Sequence, residues 1–365
     1  MPSARMSWVS TKQSPPRPAL DEGGGAARPG SLLRTADRMR RVSRRAFLTG
    51  MIGGGLLAAD MLTTRAVQNQ RRQTVMLAAN DDDAKRRFPG TSWVLFPGYK
   101  TSWEEAQLII TLLAPSLGER GQIAALGYSN DGLDADQVMA AILHHAAQNG
   151  LTELHFYGHS FGGMLAVDVA SRLLRLGAAG SNVPRVGAIV LDSTPASKYD
   201  VKDITWFEGV VELYELGFRV PSLLRGGYEL GERIINKHER TWTQVVDQAL
   251  EQLTPLAPSS VLIQTESEYI YNWDVTRFAG ELDRVQMGFI GNPGDQTVDY
   301  ESARSRWEQN FRDNLVSSSL QTIGAFPAHA SPEWNASLYN SVLGTLLPQL
   351  LPLPRRLGGS GGGAG

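Results

Sequence analysis

The chain has 365 residues, 42% of them hydrophobic and 20% charged, which is enough to bury one large core or two small ones. Its net charge of -2 gives no overall basis for holding nucleic acid. It contains no cysteine, which excludes disulfides, a thiolate nucleophile, Cys-ligated zinc and a lipid-modified N-terminal Cys.

The charge is placed unevenly. Residues 1–74 hold 13 Lys/Arg against 4 Asp/Glu, which leaves the remainder at -11. A basic leader ahead of an acidic body is the pattern of an addressed protein. Residues 1–38 are rich in Pro, Gly, Ser and Arg and lack an apolar period, so they read as a disordered or untranslated leader, with Met39 as an alternative start. In residues 39–66, Ser43-Arg44-Arg45 precedes Phe47-Leu48 and a glycine-rich, mildly apolar run to Leu62. This stretch resembles a twin-arginine export signal, with a cationic start that stays inside and a short apolar segment that enters the bilayer. The resemblance implies the twin-arginine machinery as a partner and an extracellular, cell-wall or periplasmic destination. Membrane contact is then limited to the signal, which is either cleaved near residues 64–79 or kept as an anchor. Residues 67–87 read as a linker, with Asp81-Asp82-Asp83 as a solvated acidic run that lacks the spaced ligands of a calcium site.

Between 88 and 352, short apolar runs alternate with segments of helical period. Trp93-Val94-Leu95-Phe96 predicts a strand ended by Pro97-Gly98. A helix over Ser102–Leu117 opens on the capping pair Ser102 and Glu105. Strands follow at Ile123–Leu126, Leu154–Tyr157 and Val186–Leu191, with helices at Asp136–Gln148 and Phe161–Leu176 between them. Later come strands at Val261–Gln264, Val285–Ile290 and Leu320–Ile323, and a helix from Tyr300 to about Asn314. This alternation predicts an α/β fold, a mostly parallel sheet flanked by helices. Residues 195–258 break the rhythm with Trp206, Tyr214, Phe218, Tyr228 and Trp242. They read either as a helical, cap-like insertion or as additional core helices at the sheet edge. Residues 353–365 end in a flexible glycine-rich tail.

The strongest chemical signal is Gly158-His159-Ser160-Phe161-Gly162-Gly163, with a strand running into it and an apolar helix running out. A Gly-x-Ser-x-Gly turn in that context is too tight for side chains at Gly158 and Gly162, and it thrusts Ser160 out at the carboxyl edge of the sheet. A nucleophilic serine needs a base. His144 and His145 lie in a helix before the turn, His155 lies in the strand, and His159 belongs to the turn itself. His238 falls in the irregular insertion. His329 alone follows a late strand in a loop, which makes it the candidate by elimination. An orienting carboxylate is also needed. Asp295, in the Gly-Pro loop after Val285–Ile290, stands where a loop acid should. Glu268 is the second choice, ahead of Asp192 and Asp299.

The order Ser160, Asp295, His329 resembles the α/β-hydrolase superfamily over about residues 90–350. That resemblance implies two backbone donors for an oxyanion, the N–H of Phe161 after the nucleophile and the N–H of Tyr99 after the early strand. The family's usual His before the loop glycine is replaced here by Pro97, with Gly98 retained, so the loop lacks that polar support. The resemblance further implies an esterase or lipase acting on a small-molecule or lipid ester through an acyl-enzyme, with no cofactor and no metal. A thioesterase, an amidase or a peptidase uses the same machinery. A non-catalytic binding protein on the same scaffold, or an interaction protein held at a membrane by residues 46–62, are the alternatives from other classes.

Overall fold

Strands and helices alternate along most of the chain. The computed structural model describes residues 71–79, 81–202, 258–282 and 284–352. The first half runs β1 (Val75–Ala78), α1 (Asp82–Arg87), β2 (Thr91–Phe96), α2 (Trp103–Leu117), β3 (Gln122–Gly127), α3 (Ala135–Asn149), β4 (Glu153–His159), α4 (Phe161–Ala178) and β5 (Arg185–Asp192). The second half runs α5 (Ser260–Asn272), β6 (Gln286–Gly291), α6 (Tyr300–Phe311), β7 (Leu315–Gln321) and α7 (Ala336–Leu350). The seven strands form one sheet in the order β1-β3-β2-β4-β5-β6-β7. Only β1 is antiparallel to its neighbour.

Both faces of the sheet are covered, as a parallel sheet requires. Alternation along β2 shows how. Val94 and Phe96 join Phe156, α3, α4 and α6 on one face, through Ile142, Leu165 and Trp307. Trp93 and Leu95 join Ile123, Tyr157, α2 and α7 on the other, through Ile109, Leu343 and Leu346. The chain leaves β2 toward β3 in one direction and passes from β4 to β7 in the other. In open α/β sheets such a reversal marks where ligands bind, beyond the carboxyl ends of the strands, which here are those of β2 and β4.

Several expectations are corrected. Val261–Gln264 is not a strand but the first turns of α5. Ser259 caps that helix by accepting from the Leu262 N–H at 3.0 Å. The buried side chains at 262, 263, 266, 267 and 270 follow a helical period. The last strand is Leu315–Gln321, earlier than Leu320–Ile323. It sits at the sheet edge and is only half-buried, so its serines are tolerated where an apolar run was expected. Residues 67–87, read as a linker, include β1 and α1. Asp81 caps α1, accepting from the Asp83 and Ala84 N–H groups at 2.9 and 3.0 Å, so the acidic run serves a helix start. The twin-arginine-like segment, residues 203–257 of the 195–258 insertion, with Trp206, Tyr214, Phe218, Tyr228, Trp242 and His238, and the tail lie outside the described residues.

Candidate active site

The elbow forms where the parallel sheet forces the chain from β4 straight into α4. Ser160 sits between them with φ 54 and ψ -126, a left-handed conformation that side chains rarely adopt. Such a residue costs on the order of 1–3 kcal/mol, and the surrounding structure must hold it. A Cβ on Gly158 would collide with the Gly163 backbone, and one on Gly162 with the carbonyl oxygens of Phe96 and Pro97. The elbow therefore packs directly on the end of β2. The Ser160 N–H donates to the Asp192 carbonyl at 2.8 Å, which ties the turn to β5. Ser160 also begins α4, whose N-terminus favours negative charge.

Three side chains meet there. The Ser160 hydroxyl donates to His329 Nε2 at 2.9 Å. His329 Nδ1 donates to Asp295 Oδ2 at 2.7 Å. The carboxylate accepts only, and this fixes the histidine tautomer that leaves Nε2 as the acceptor for serine. Asp295 is 1% exposed. Its other oxygen accepts from the Thr297 and Val298 N–H groups at 2.8 and 3.0 Å. His329 is partly open, with a side-chain exposure of 23%. A serine, an imidazole and a buried carboxylate in this order can remove the serine proton and stabilise the imidazolium that results.

The rival acids take other partners. Glu268 is on α5 and accepts from Gln264 at 3.1 Å. Asp299 caps α6 through the Ser302 N–H. Asp192 ends β5, fully buried, and accepts from the Tyr157 hydroxyl at 2.9 Å. Burial pushes its carboxyl up to about 7, against the Tyr157 hydrogen bond and the charge of His329. Of the other histidines, His155 lies in β4 with burial pushing it down to about 3, consistent with a neutral sheet residue.

The loop after β2 carries the two candidate features Gly98 and Tyr99. Two groups that sequence reasoning did not single out hold it. His159 is buried, and burial pushes its imidazole down to about 4, against the bond to Ala330. Its Nδ1 accepts from the Gly98 N–H at 3.3 Å, and its Nε2 donates to the Ala330 carbonyl next to His329. Glu266, fully buried on α5, accepts from the Lys100 N–H at 3.1 Å. Burial pushes this carboxyl up to about 8, against the Lys100 N–H and charge. Nothing in the sequence marks His159 beyond its place in the turn. Glu266 leaves one signal, a charged residue on the apolar period of a helix.

No protein-family model matches the sequence, and no curated protein is detectably similar to it. Among solved structures the chain is similar to a lipase-esterase related protein from Clostridium acetobutylicum. The TM-score is 0.51 at 13% identity, over 75% of this chain and 98% of that one. It is also similar to a structure from a study of carboxylesterases of the ammonia-oxidizing thaumarchaeon Nitrososphaera gargenis. There the TM-score is 0.50 at 13% identity, over 76% of this chain and 94% of the other. At such identity the likeness is one of architecture, and the architecture of this chain is the α/β-hydrolase fold.

Proposed function

We propose that the chain is an exported serine hydrolase that cleaves carboxylic esters. The observation that carries the reading is the hydrogen-bonded series from Ser160 through His329 to Asp295, at 2.9 and 2.7 Å. Ser160 Oγ attacks the ester carbonyl carbon while His329 Nε2 takes its proton. The Phe161 and Tyr99 N–H groups receive the tetrahedral oxyanion. The intermediate collapses, the C–O bond breaks, and His329 returns the proton to the departing alcohol. Water, deprotonated by His329, then releases the acid and restores Ser160. Asp295 keeps the imidazole in its working tautomer throughout. The two fold relatives are described with esterase names, and ester hydrolysis agrees with both.

The test is hydrolysis of a panel of 4-nitrophenyl esters, acetate to palmitate, with Ser160→Ala alongside. A burst followed by steady turnover that is lost in the variant supports an acyl-enzyme. Turnover that survives Ser160→Ala contradicts it. Export rests separately on Ser43-Arg44-Arg45 and Phe47-Leu48. Replacing Arg44 and Arg45 by Lys should hold the protein in the cytoplasm, and unchanged export would sink that part of the reading.

A further inference from the structure

We infer that Glu266 and His159 are positioning residues that together fix the Gly98–Tyr99 peptide, and with it the Tyr99 N–H. The inference rests on the reading of Tyr99 as an oxyanion donor. It answers a problem in the sequence, since Pro97 stands where a supporting histidine was expected. The support comes instead from the elbow and from α5.

The loop is tied at nearly every polar group around Tyr99. The Pro97 carbonyl accepts from the Tyr128 hydroxyl at 3.2 Å. The Gly98 N–H donates to His159 Nδ1 at 3.3 Å. The Gly98 carbonyl accepts from the Thr101 N–H at 3.2 Å. The Lys100 N–H donates to Glu266 Oε2 at 3.1 Å. The Tyr99 hydroxyl meets the Ser267 hydroxyl at 2.9 Å. In a trans peptide the N–H points opposite to the C=O. With the Gly98 carbonyl held by the Thr101 N–H, the direction of the Tyr99 N–H on the same peptide is set with it.

Each clamp has a feature that plain packing does not require. Lys100 has φ 61, a left-handed conformation that a non-glycine residue adopts only when held. The bond from its N–H to Glu266 is such a hold. Glu266 is fully buried, and its second oxygen, Oε1, has no hydrogen-bond partner among the described residues. A leucine at this position would be better for the fold, because a half-satisfied buried carboxyl weakens a core. Its presence points to a task other than stability. His159 joins three parts of the site, since its backbone belongs to the elbow and its ring bonds the Tyr99 loop and the His329 loop. Gly98 permits this approach, since a Cβ there would lie 2.9 Å from His159 Nδ1.

The experiment compares Glu266→Leu, Glu266→Gln and His159→Phe in the full chain. The readouts are the rate of labelling by a fluorophosphonate, whose P=O oxygen occupies the oxyanion position, together with kcat, KM and thermal midpoint. Glutamine keeps an acceptor for the Lys100 N–H, and leucine removes it. The expected result is that Glu266→Leu labels roughly 10- to 100-fold more slowly, with kcat reduced and KM little changed. Its thermal midpoint stays equal or rises, and Glu266→Gln stays near the wild type. His159→Phe slows labelling by a similar factor through an independent bond. A wild-type rate in folded Glu266→Leu, or equal losses in the leucine and glutamine variants, overturns the inference alone. If leucine costs the fold instead, stability is the task of Glu266 and the inference is overturned as well. Absence of labelling in the wild type overturns the reading of the site, and the inference with it.

Discussion

His329 Nδ1 lies 2.7 Å from Asp295 Oδ2, and the second Asp295 oxygen is held by two backbone N–H groups at 2.8 and 3.0 Å. The carboxylate is therefore fixed from one side and directs the imidazole from the other. Asp295→Asn keeps the volume but favours the wrong tautomer. The expected loss in kcat is about 10⁴-fold with the fold intact. Glu268→Gln, on α5, should leave kcat within about twofold. The pair of rates, measured on one ester, decides between the two acids.

Asp192 predicts a slope in stability with pH. Its folded carboxyl is raised to about 7 from an ordinary 3.8. The folded state thus keeps a proton that the unfolded chain loses. The contribution is fully present below about pH 4 and is lost as pH rises through about 7. Asp192→Asn, which cannot ionise, removes this component. Urea unfolding of both proteins from pH 4 to pH 8 should show the wild type losing stability relative to the variant, at up to about 1.4 kcal/mol per pH unit. A constant difference across that range would contradict the assignment.

His159 predicts a slope of the opposite sign. Its folded imidazole is lowered to about 4 from 6.5, so the folded state excludes a proton that the unfolded chain binds. Stability from this group is present above pH 6.5 and is lost as pH falls toward 4. His159→Phe should flatten the acid limb of the thermal midpoint between pH 6.5 and pH 4. An unchanged acid limb would show that the ring is not held neutral.

The elbow glycines should tolerate no side chain. A Cβ on Gly158 meets the Gly163 backbone, and one on Gly162 meets two carbonyl oxygens. These are backbone atoms that cannot swing aside. Gly158→Ala and Gly162→Ala should each cost more than about 4 kcal/mol, or prevent soluble expression. Gly180, exposed just after α4, is the comparison. It has φ 84, but a Cβ there would meet no atom within 4 Å. Alanine at that position should cost only about 1 kcal/mol from the backbone. Thermal melts of the three variants check the ranking.

Much of this fold was legible because its signals are local. Leu154–Tyr157 runs apolar into a tight glycine turn, and the helix begins at once, so the elbow and its strand announce themselves. Ser102 and Glu105 form the capping box that their spacing suggested. Other features depend on partners far along the chain. β1 is four residues long and is a strand only because it pairs with β3, from Val75 with Gly127 to Ala78 with Ala124. Val261–Gln264 has the composition of a strand, and only its continuation to Asn272 makes it a helix. At the site, Ser160, Asp295 and His329 are drawn together across 169 positions of sequence by the common carboxyl edge of β4, β6 and β7. The topology behind the motif order anticipates that meeting. His159 and Glu266 were not legible, since neither has a motif role of its own and each acts through a backbone N–H on a distant loop.

An activated Ser160 can be captured covalently. The full chain is treated with a fluorophosphonate at neutral pH and digested, and the modified peptide is located by mass spectrometry. A single adduct on Ser160 is expected, absent from Ser160→Ala and greatly slowed in His329→Ala. A folded wild type that takes no adduct, or an adduct on another residue, would contradict it.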